Sequence, residues 1–256
     1  MSLAIDLGEV RRLEELAFRG WPALESRDVA GRRLRFSNGY TKRANSINAL
    51  GRDAQTDDAT IQRLEAPYLE RGQAPVWRLS PLAPPLIADL LADRGYRTIE
   101  RSLLQVAPLH PALAIDPEVR IYPQPTPAWI EAFCIHSPVR PEHRATMRRM
   151  LAAIAAPAGF AFVEAEGQPM AMAIGAVEGD HMGLFDVLVM PQARRRGLAR
   201  RVTESLYAWA WQHGARFAYL QVVATNDAAM PLYAAQGFRT VYAYEYRIAP
   251  ALSGAP

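Results

Sequence analysis

The residues with the most chemical potential lie in one run, Val187-Leu188-Val189-Met190-Pro191-Gln192-Ala193-Arg194-Arg195-Arg196-Gly197-Leu198-Ala199-Arg200. It reads as a strand that passes into a basic, glycine-containing turn and then into an amphipathic helix. The first N–H groups of a helix have no intrahelical acceptor and sit at the positive end of its dipole, so such a turn can seat a diphosphate. Gly197 would let the backbone approach the phosphates, and arginine forks suit the same anion. An ordinary strand-to-helix turn with solvated arginines has the same composition, and this segment alone does not separate the two readings. Further along, Asn226 opens a short helix, and Tyr233 follows seven residues later, just ahead of Gly237-Phe238. Read locally, these are a helix cap and a packed aromatic. Other candidates are weaker. Cys134 and His136 stand two apart on an expected helix and so on different faces, and the remaining histidines, His110, His143, His181 and His213, lack metal-ligand spacing. No metal is expected.

The turn Arg194-Arg195-Arg196-Gly197-Leu198-Ala199 resembles the acyl-CoA signature of the GNAT acetyltransferase superfamily, R/Q-x-x-G-x-G/A. The Asn226, Tyr233, Gly237 and Phe238 set resembles the second signature of the same superfamily, in the same order. Together the two are far more specific than either alone, and the resemblance covers roughly residues 119–248. A Rossmann or P-loop alternative fails, because neither the glycine pattern nor the Lys-Ser/Thr pair is present.

That resemblance implies transfer of an acetyl group from acetyl-CoA to an amine without a covalent enzyme intermediate. Leu188, at a splayed strand end, would donate its backbone N–H to the carbonyl oxygen as charge builds there. Val187, Leu188 and Val189 would pair with the pantetheine arm like an added strand, and Asn226 would hold its chain. Arg194, Arg195, Arg196, Gly197, Leu198, Ala199 and Arg200 would cradle the diphosphate. Tyr233, with an ordinary pKa of about 10, would protonate a thiolate whose own value is roughly 8.5. The base is left open. Some relatives that acetylate protein N-termini carry a glutamate where this chain has Gln221, which cannot take a proton. Asp186 is the remaining carboxylate on a core strand, and a chain of waters is the favoured alternative.

These residues need a scaffold, and the pattern around them supplies one. Strands are expected at 119–122, 160–164, 169–177 and 182–190, the last three as an antiparallel meander, with helices at 127–135 and 142–155. A helix over 197–213, a strand over 217–223, a helix over 228–236 and a strand over 238–248 complete the order. Leu90-Leu91-Ala92-Asp93-Arg94-Gly95-Tyr96-Arg97-Thr98 echoes Leu232-Tyr233-Ala234-Ala235-Gln236-Gly237-Phe238-Arg239-Thr240, and the elements before each echo run in the same order. The expected fold is therefore α/β (α+β), a mixed, mostly antiparallel sheet flanked by helices, of the GNAT acyl-CoA N-acyltransferase type and duplicated. A degenerate first domain at 1–110 and a catalytic domain at 119–250 are expected, joined at a proline-rich break over 107–118 with the linker proper at 111–118. Leu91 stands where Tyr233 stands in the echo, so the first domain is expected to bind no CoA. The polar run Asn38-Gly39-Tyr40-Thr41-Lys42-Arg43-Ala44-Asn45-Ser46 reads as a hairpin turn and polar strand that lines an acceptor pocket or closes a domain interface.

Composition narrows the classes. With 256 residues, half of them hydrophobic, disorder is excluded, and 29 cationic against 26 anionic residues leave too small an excess to imply nucleic acid. No apolar run approaches the ~18 to 20 residues of a membrane helix. The start Met1-Ser2-Leu3 lacks the character of a signal peptide, and a cytoplasmic protein is expected. The expected partners are acetyl-CoA and an amine acceptor, whether small molecule, protein N-terminus or lysine, with room for a homodimer. The rival from another class is a non-catalytic acyl-CoA-binding regulator using the same cradle.

Overall fold

The computed structural model describes residues 5–137, 139–155 and 157–250; the Met1-Ser2-Leu3 start lies outside them. The chain opens with helix α1 (Leu7–Gly20), whose first N–H groups are capped by the Asp6 carboxylate and whose buried Val10, Leu13, Leu16 and Ala17 recur at helical spacing. Strands β1 (Glu25–Val29) and β2 (Arg32–Phe36) form a hairpin. Ala30 and Gly31, at φ 48° and 71°, give it the left-handed two-residue turn that matches strand twist. Then come β3 (Ile47–Ala49), α2 (Asp58–Leu69), β4 (Val76–Leu79), α3 (Ile87–Asp93) and β5 (Arg97–Pro108).

The second half runs β6 (Arg120–Tyr122), α4 (Pro127–His136), α5 (Arg144–Ala152), β7 (Ala158–Ala165), β8 (Gln168–Glu178) and β9 (His181–Val189). It ends with α6 (Leu198–Gln212), β10 (Phe217–Val223), α7 (Ala229–Ala235) and β11 (Arg239–Ile248). The order β3-α2-β4-α3-β5 thus recurs as β9-α6-β10-α7-β11, and each set begins with a parallel pair, β3 with β4 and β9 with β10. The remaining neighbours pair antiparallel, as expected of a mostly antiparallel mixed sheet.

One finding has no counterpart in the sequence pattern. All eleven strands belong to a single sheet in the order β1-β2-β3-β4-β11-β5-β10-β9-β8-β7-β6. The last strand of each half has crossed over: β11 lies between β4 and β5, and β5 lies between β11 and β10. The ranges 1–110 and 119–250 therefore share main-chain hydrogen bonds through the middle of the sheet. The proline-rich break also begins later than 107, because Ala107 and Pro108 still pair with Ala218 and Phe217, and the Leu109 N–H donates to the Arg216 carbonyl at 2.8 Å.

Two further expectations are adjusted. The helix expected over 142–155 is a 3-10 turn at Pro141–His143 followed by the shorter α5. The polar run 38–46 is a closed loop with a 3-10 turn at Lys42–Ala44, and the strand begins only at Ile47. Asn45 makes that loop: its Oδ1 accepts from the Ser37 and Gly39 N–H groups at 2.7 and 2.9 Å, and its amide donates to the Thr41 carbonyl at 2.8 Å.

The larger core joins α1 to the second half's sheet. Tyr219 on β10 donates its hydroxyl to the Leu16 carbonyl at 2.9 Å. A Cβ on Gly183 would stand 2.5 Å from the Tyr219 hydroxyl, and one on Gly20 would stand 2.7 Å from the Phe185 ring, so both glycines are required by close approach. A smaller core under α2 and α3 holds Leu34, Ile47, Ile61, Leu64, Trp77 and Leu91. Among the described residues no helix is long and apolar enough to cross a membrane.

The shared strands have a testable consequence. Residues 119–250 made without residues 1–110 lose β5, the neighbour of both β10 and β11, and are expected to show no cooperative transition in urea by circular dichroism. A single sharp transition in that fragment would show that the second half folds unaided.

Candidate active site

The site begins where two strands part. β9 and β10 pair only from His181 with Phe217 to Leu184 with Leu220. Beyond that point residues 185–189 and 221–223 diverge and border a cleft of about 1240 Å³. The cause lies in β9 itself. Its register against β8 shifts between Phe185, opposite Ile174, and Leu188, opposite Met172, and Asp186 within this bulge sits at φ 47°. A bulge bends the strand that carries it, and here the bend frees one edge of β9. Val187, Leu188 and Val189 lie on that wall, together with Asp186.

At one end of the cleft stands the start of α6. Gly197 is its N-cap at φ 74°, with Arg195 also left-handed at 59°. The first hydrogen bond of the helix runs from the Arg201 N–H to the Gly197 carbonyl at 3.1 Å, so the N–H groups of Leu198, Ala199 and Arg200 have no intrahelical acceptor. Arg194, Arg195, Gly197, Leu198, Ala199 and Arg200 line the cleft, whereas Arg196 is exposed outside its wall. Arg201 turns away and clasps Asp116 at 2.7 and 2.9 Å, which ties the helix to the segment before β6. Unpaired N–H groups, a positive helix end and three flanking arginines fit a diphosphate, and this end can hold the nucleotide part of an acyl-CoA.

The opposite lip carries Asn226 and Tyr233. Asn226 Oδ1 accepts from the Ala229 N–H at 3.1 Å and so caps α7, leaving the amide N–H groups for a ligand. Tyr233 is 7% exposed, edge-on to Phe238 at 5.7 Å. Burial, and then the negative charge of Asp186, push its pKa up to about 12. α7 is locked to α6 by Gln236, which accepts from the Tyr207 hydroxyl at 3.1 Å and donates to Thr203 Oγ1 at 2.7 Å.

The far wall comes from the first half. Arg43 pairs with Asp186 at 3.1 Å while stacking 4.9 Å from the Trp21 ring centroid. Thus the loop 39–43 both lines the cleft and closes the contact between the halves. Lys42 pairs with Glu100 at 2.7 Å, with its ammonium 5.7 Å from the Tyr246 ring centroid. Glu100 is left-handed at φ 50°, where the register of β5 on β11 shifts between Tyr244 and Tyr246. Gln221, Ser102, Tyr244 and Tyr246 complete this end. Glu100 gave no signal in the sequence, because its place depends on β5 lying beside β11. The alternation Tyr242, Tyr244, Tyr246 did mark one strand face, and all three are buried. Cys134 is buried in the larger core, away from the cleft. Among the described residues no group of three or more His, Cys, Asp or Glu could hold a metal ion.

Comparison with known proteins agrees with this geometry. The family described as "Probable histone acetyltransferase Rv0428c C-terminal" matches residues 7–247 and so spans both halves of the sheet. YobR of Bacillus subtilis (strain 168), described as an uncharacterized N-acetyltransferase, is 26% identical over 249 residues, which cover 94% of this chain and 99% of YobR. The ribosomal protein bS18-alanine N-acetyltransferase of Escherichia coli (strain K12) is 38% identical over 72 residues, 28% of this chain and 49% of that enzyme. In fold, the chain is similar to a GCN5-related N-acetyltransferase from Kribbella flavida, with a TM-score of 0.68 at 16% identity, covering 96% of this chain and 98% of that one. It is also similar to a tandem GNAT protein from the clavulanic acid biosynthesis pathway, with a TM-score of 0.65 at 11% identity over 95% and 89% of the two chains. The chain belongs to the Rv0428c C-terminal acetyltransferase family and has the fold of GNAT N-acetyltransferases.

Proposed function

We propose that this N-acetyltransferase transfers an acetyl group from acetyl-CoA to a primary amine by direct attack. The observation that carries the reading is that one cleft unites an arginine-flanked helix start, an unpaired strand edge and a buried tyrosine. Acetyl-CoA supplies an activated acyl group and a thiolate leaving group. Arg194, Arg195, Arg200 and the N–H groups after Gly197 hold its diphosphate, and the free edge of β9 takes the pantetheine arm between Val187 and Val189. Asn226 holds the same arm from the other lip. The Leu188 N–H donates to the carbonyl oxygen as negative charge grows there.

Tyr233 donates the proton that the departing thiolate needs. Because its phenol titrates near 12 rather than 10, it keeps that proton across the working pH range. Asp186 engages Arg43 through Oδ1 and so serves to anchor the acceptor wall. The ammonium of the acceptor loses a proton before attack, passed to solvent through waters beside Gln221 and Ser102, both of which line the cleft. The first half offers no second CoA site: Leu91, which takes the place of Tyr233, is fully buried in the smaller core, and Asp57 and Asp58 stand at the start of α2. One acetyl-CoA per chain is the expected stoichiometry.

A second reading, an acyl-CoA-binding regulator without turnover, is favoured by one observation. Both carboxylates of the cleft are paired with cations, Asp186 with Arg43 and Glu100 with Lys42. Amine-dependent release of free thiol across a panel of primary amines separates the two readings, since a regulator releases none.

Two substitutions test the roles. Gly197→Val forces a β-branched side chain into φ 74° at the phosphate turn and should weaken acetyl-CoA binding at least about tenfold by calorimetry, or roughly 1.4 kcal/mol. Unchanged affinity in a folded variant would remove the turn as the diphosphate site. Tyr233→Phe should lower turnover about a hundredfold while acetyl-CoA affinity stays near that of the wild type. In the wild type, any loss of kcat through ionisation of Tyr233 is expected above pH 10, nearer 12. Wild-type turnover in Tyr233→Phe would assign the proton to water.

A further inference from the structure

Behind the acceptor wall lies a second, small space of about 10 Å³, bordered by Ala17, Phe18, Arg35, Arg43, Arg78 and Gln221. Three arginines bordering room for about one small species is an unusual arrangement in a protein interior, because an unpaired buried charge costs several kcal/mol. The partners of each can be counted. Arg78, 3% exposed, pairs with Glu14, whose other oxygen accepts from the Tyr242 hydroxyl, so that carboxylate is fully engaged. Arg43 pairs with Asp186. Arg35, 2% exposed, has the carbonyl oxygens of Phe18, Trp21 and Arg43 and the face of the Phe18 ring, 4.9 Å from its guanidinium carbon, but no carboxylate among the described residues.

The first two of those carbonyls belong to the C-terminal end of α1, which offers roughly half a negative charge at best. Two buried arginines and the half-buried Arg43 therefore face two carboxylates, Glu14 taken by Arg78 and Asp186 by Arg43, and the charge of Arg35 is left over. In addition, Arg35 Nε and Arg78 Nη2 are buried with no acceptor among the described residues. Both residues border the void.

We infer that the void between Arg35, Arg43 and Arg78 is a binding site for one halide-sized monovalent anion, chloride in practice. A water would accept from the two orphaned N–H groups but leave the surplus charge in place. An anion answers both. Burial, and next the charge of Arg78, drag the Arg35 pKa down to about 9, as expected of a guanidinium without an ionic partner. The site is distinct from the acyl-CoA cradle but shares Arg43 and Gln221 with the cleft, so an anion there would stiffen the acceptor wall from behind.

The test uses the full chain and does not depend on acetyl transfer. Thermal unfolding is followed in sodium chloride and in sodium gluconate at matched ionic strength. Each tenfold rise in chloride above its Kd should raise Tm by roughly 3 °C, with no such rise in gluconate. Ala17→Val, which puts two methyl groups into the void, should abolish the difference between the salts. Should that variant fail to fold, wild-type crystals grown in sodium bromide decide the matter, with an anomalous peak expected in the void beside Arg35 and Arg78. Coincident unfolding midpoints in the two salts, or a void holding only water in bromide, would overturn the assignment.

Discussion

The site exists because β9 and β10 stop pairing after Leu184 and Leu220. Parallel strands that continued in register would leave no free edge on β9 and no gap between the start of α6 and the lip that carries Tyr233. The parting is enforced by the bulge at Asp186, a non-glycine residue in the left-handed region, which costs of order 1–3 kcal/mol. Such strain persists only if its surroundings hold it. Here the hold comes from Arg43 of the first half, which pairs with the Asp186 carboxylate and stacks on Trp21.

That dependence gives the first half its role. The duplicated order of elements would allow two independent sites, yet the first half fills its equivalent of the tyrosine position with the buried Leu91. Instead it supplies the far wall of the cleft through Lys42, Arg43 and Glu100. The exchange of β5 and β11 makes this wall rigid, because both strands lie in the middle of the sheet and carry Glu100, Tyr244 and Tyr246 to the cleft. Glu14 adds a buried link of the same kind. From α1 it engages Arg78 on β4 and Tyr242 on β11, so one carboxylate fastens a helix and a strand of the first half to the last strand of the second.

Burial has opposite consequences for the two kinds of polar group near the cleft. For Tyr233, desolvation raises the cost of the phenolate and keeps the hydroxyl protonated. For Arg35, desolvation penalises the only charged form it has, and no carboxylate answers it. The first effect fixes the neutral form of a hydroxyl that lines the cleft, and the second leaves a buried charge beside the small space next to Arg43.

The features legible in the sequence were those set by residues close together in the chain. The turn before α6, with Gly197 and its arginines, follows from the rule that a helix start leaves N–H groups free, and Tyr233 on α7 follows Asn226, just ahead of that helix, by seven positions. The meander of β7, β8 and β9 follows from apolar runs parted by turn residues at Gly167 and Glu178-Gly179-Asp180, and β10 from a nearly continuous apolar run. Tertiary structure decided what long-range pairing controls. The partnership of Arg43 with Asp186 spans 143 positions, and the left-handed backbones of Asp186 and Glu100 arise only where neighbouring strands fall out of register. The crossing of β5 and β11 was equally hidden, because a strand's own residues encode which faces are buried, whereas its neighbours are chosen by the packing of the whole sheet.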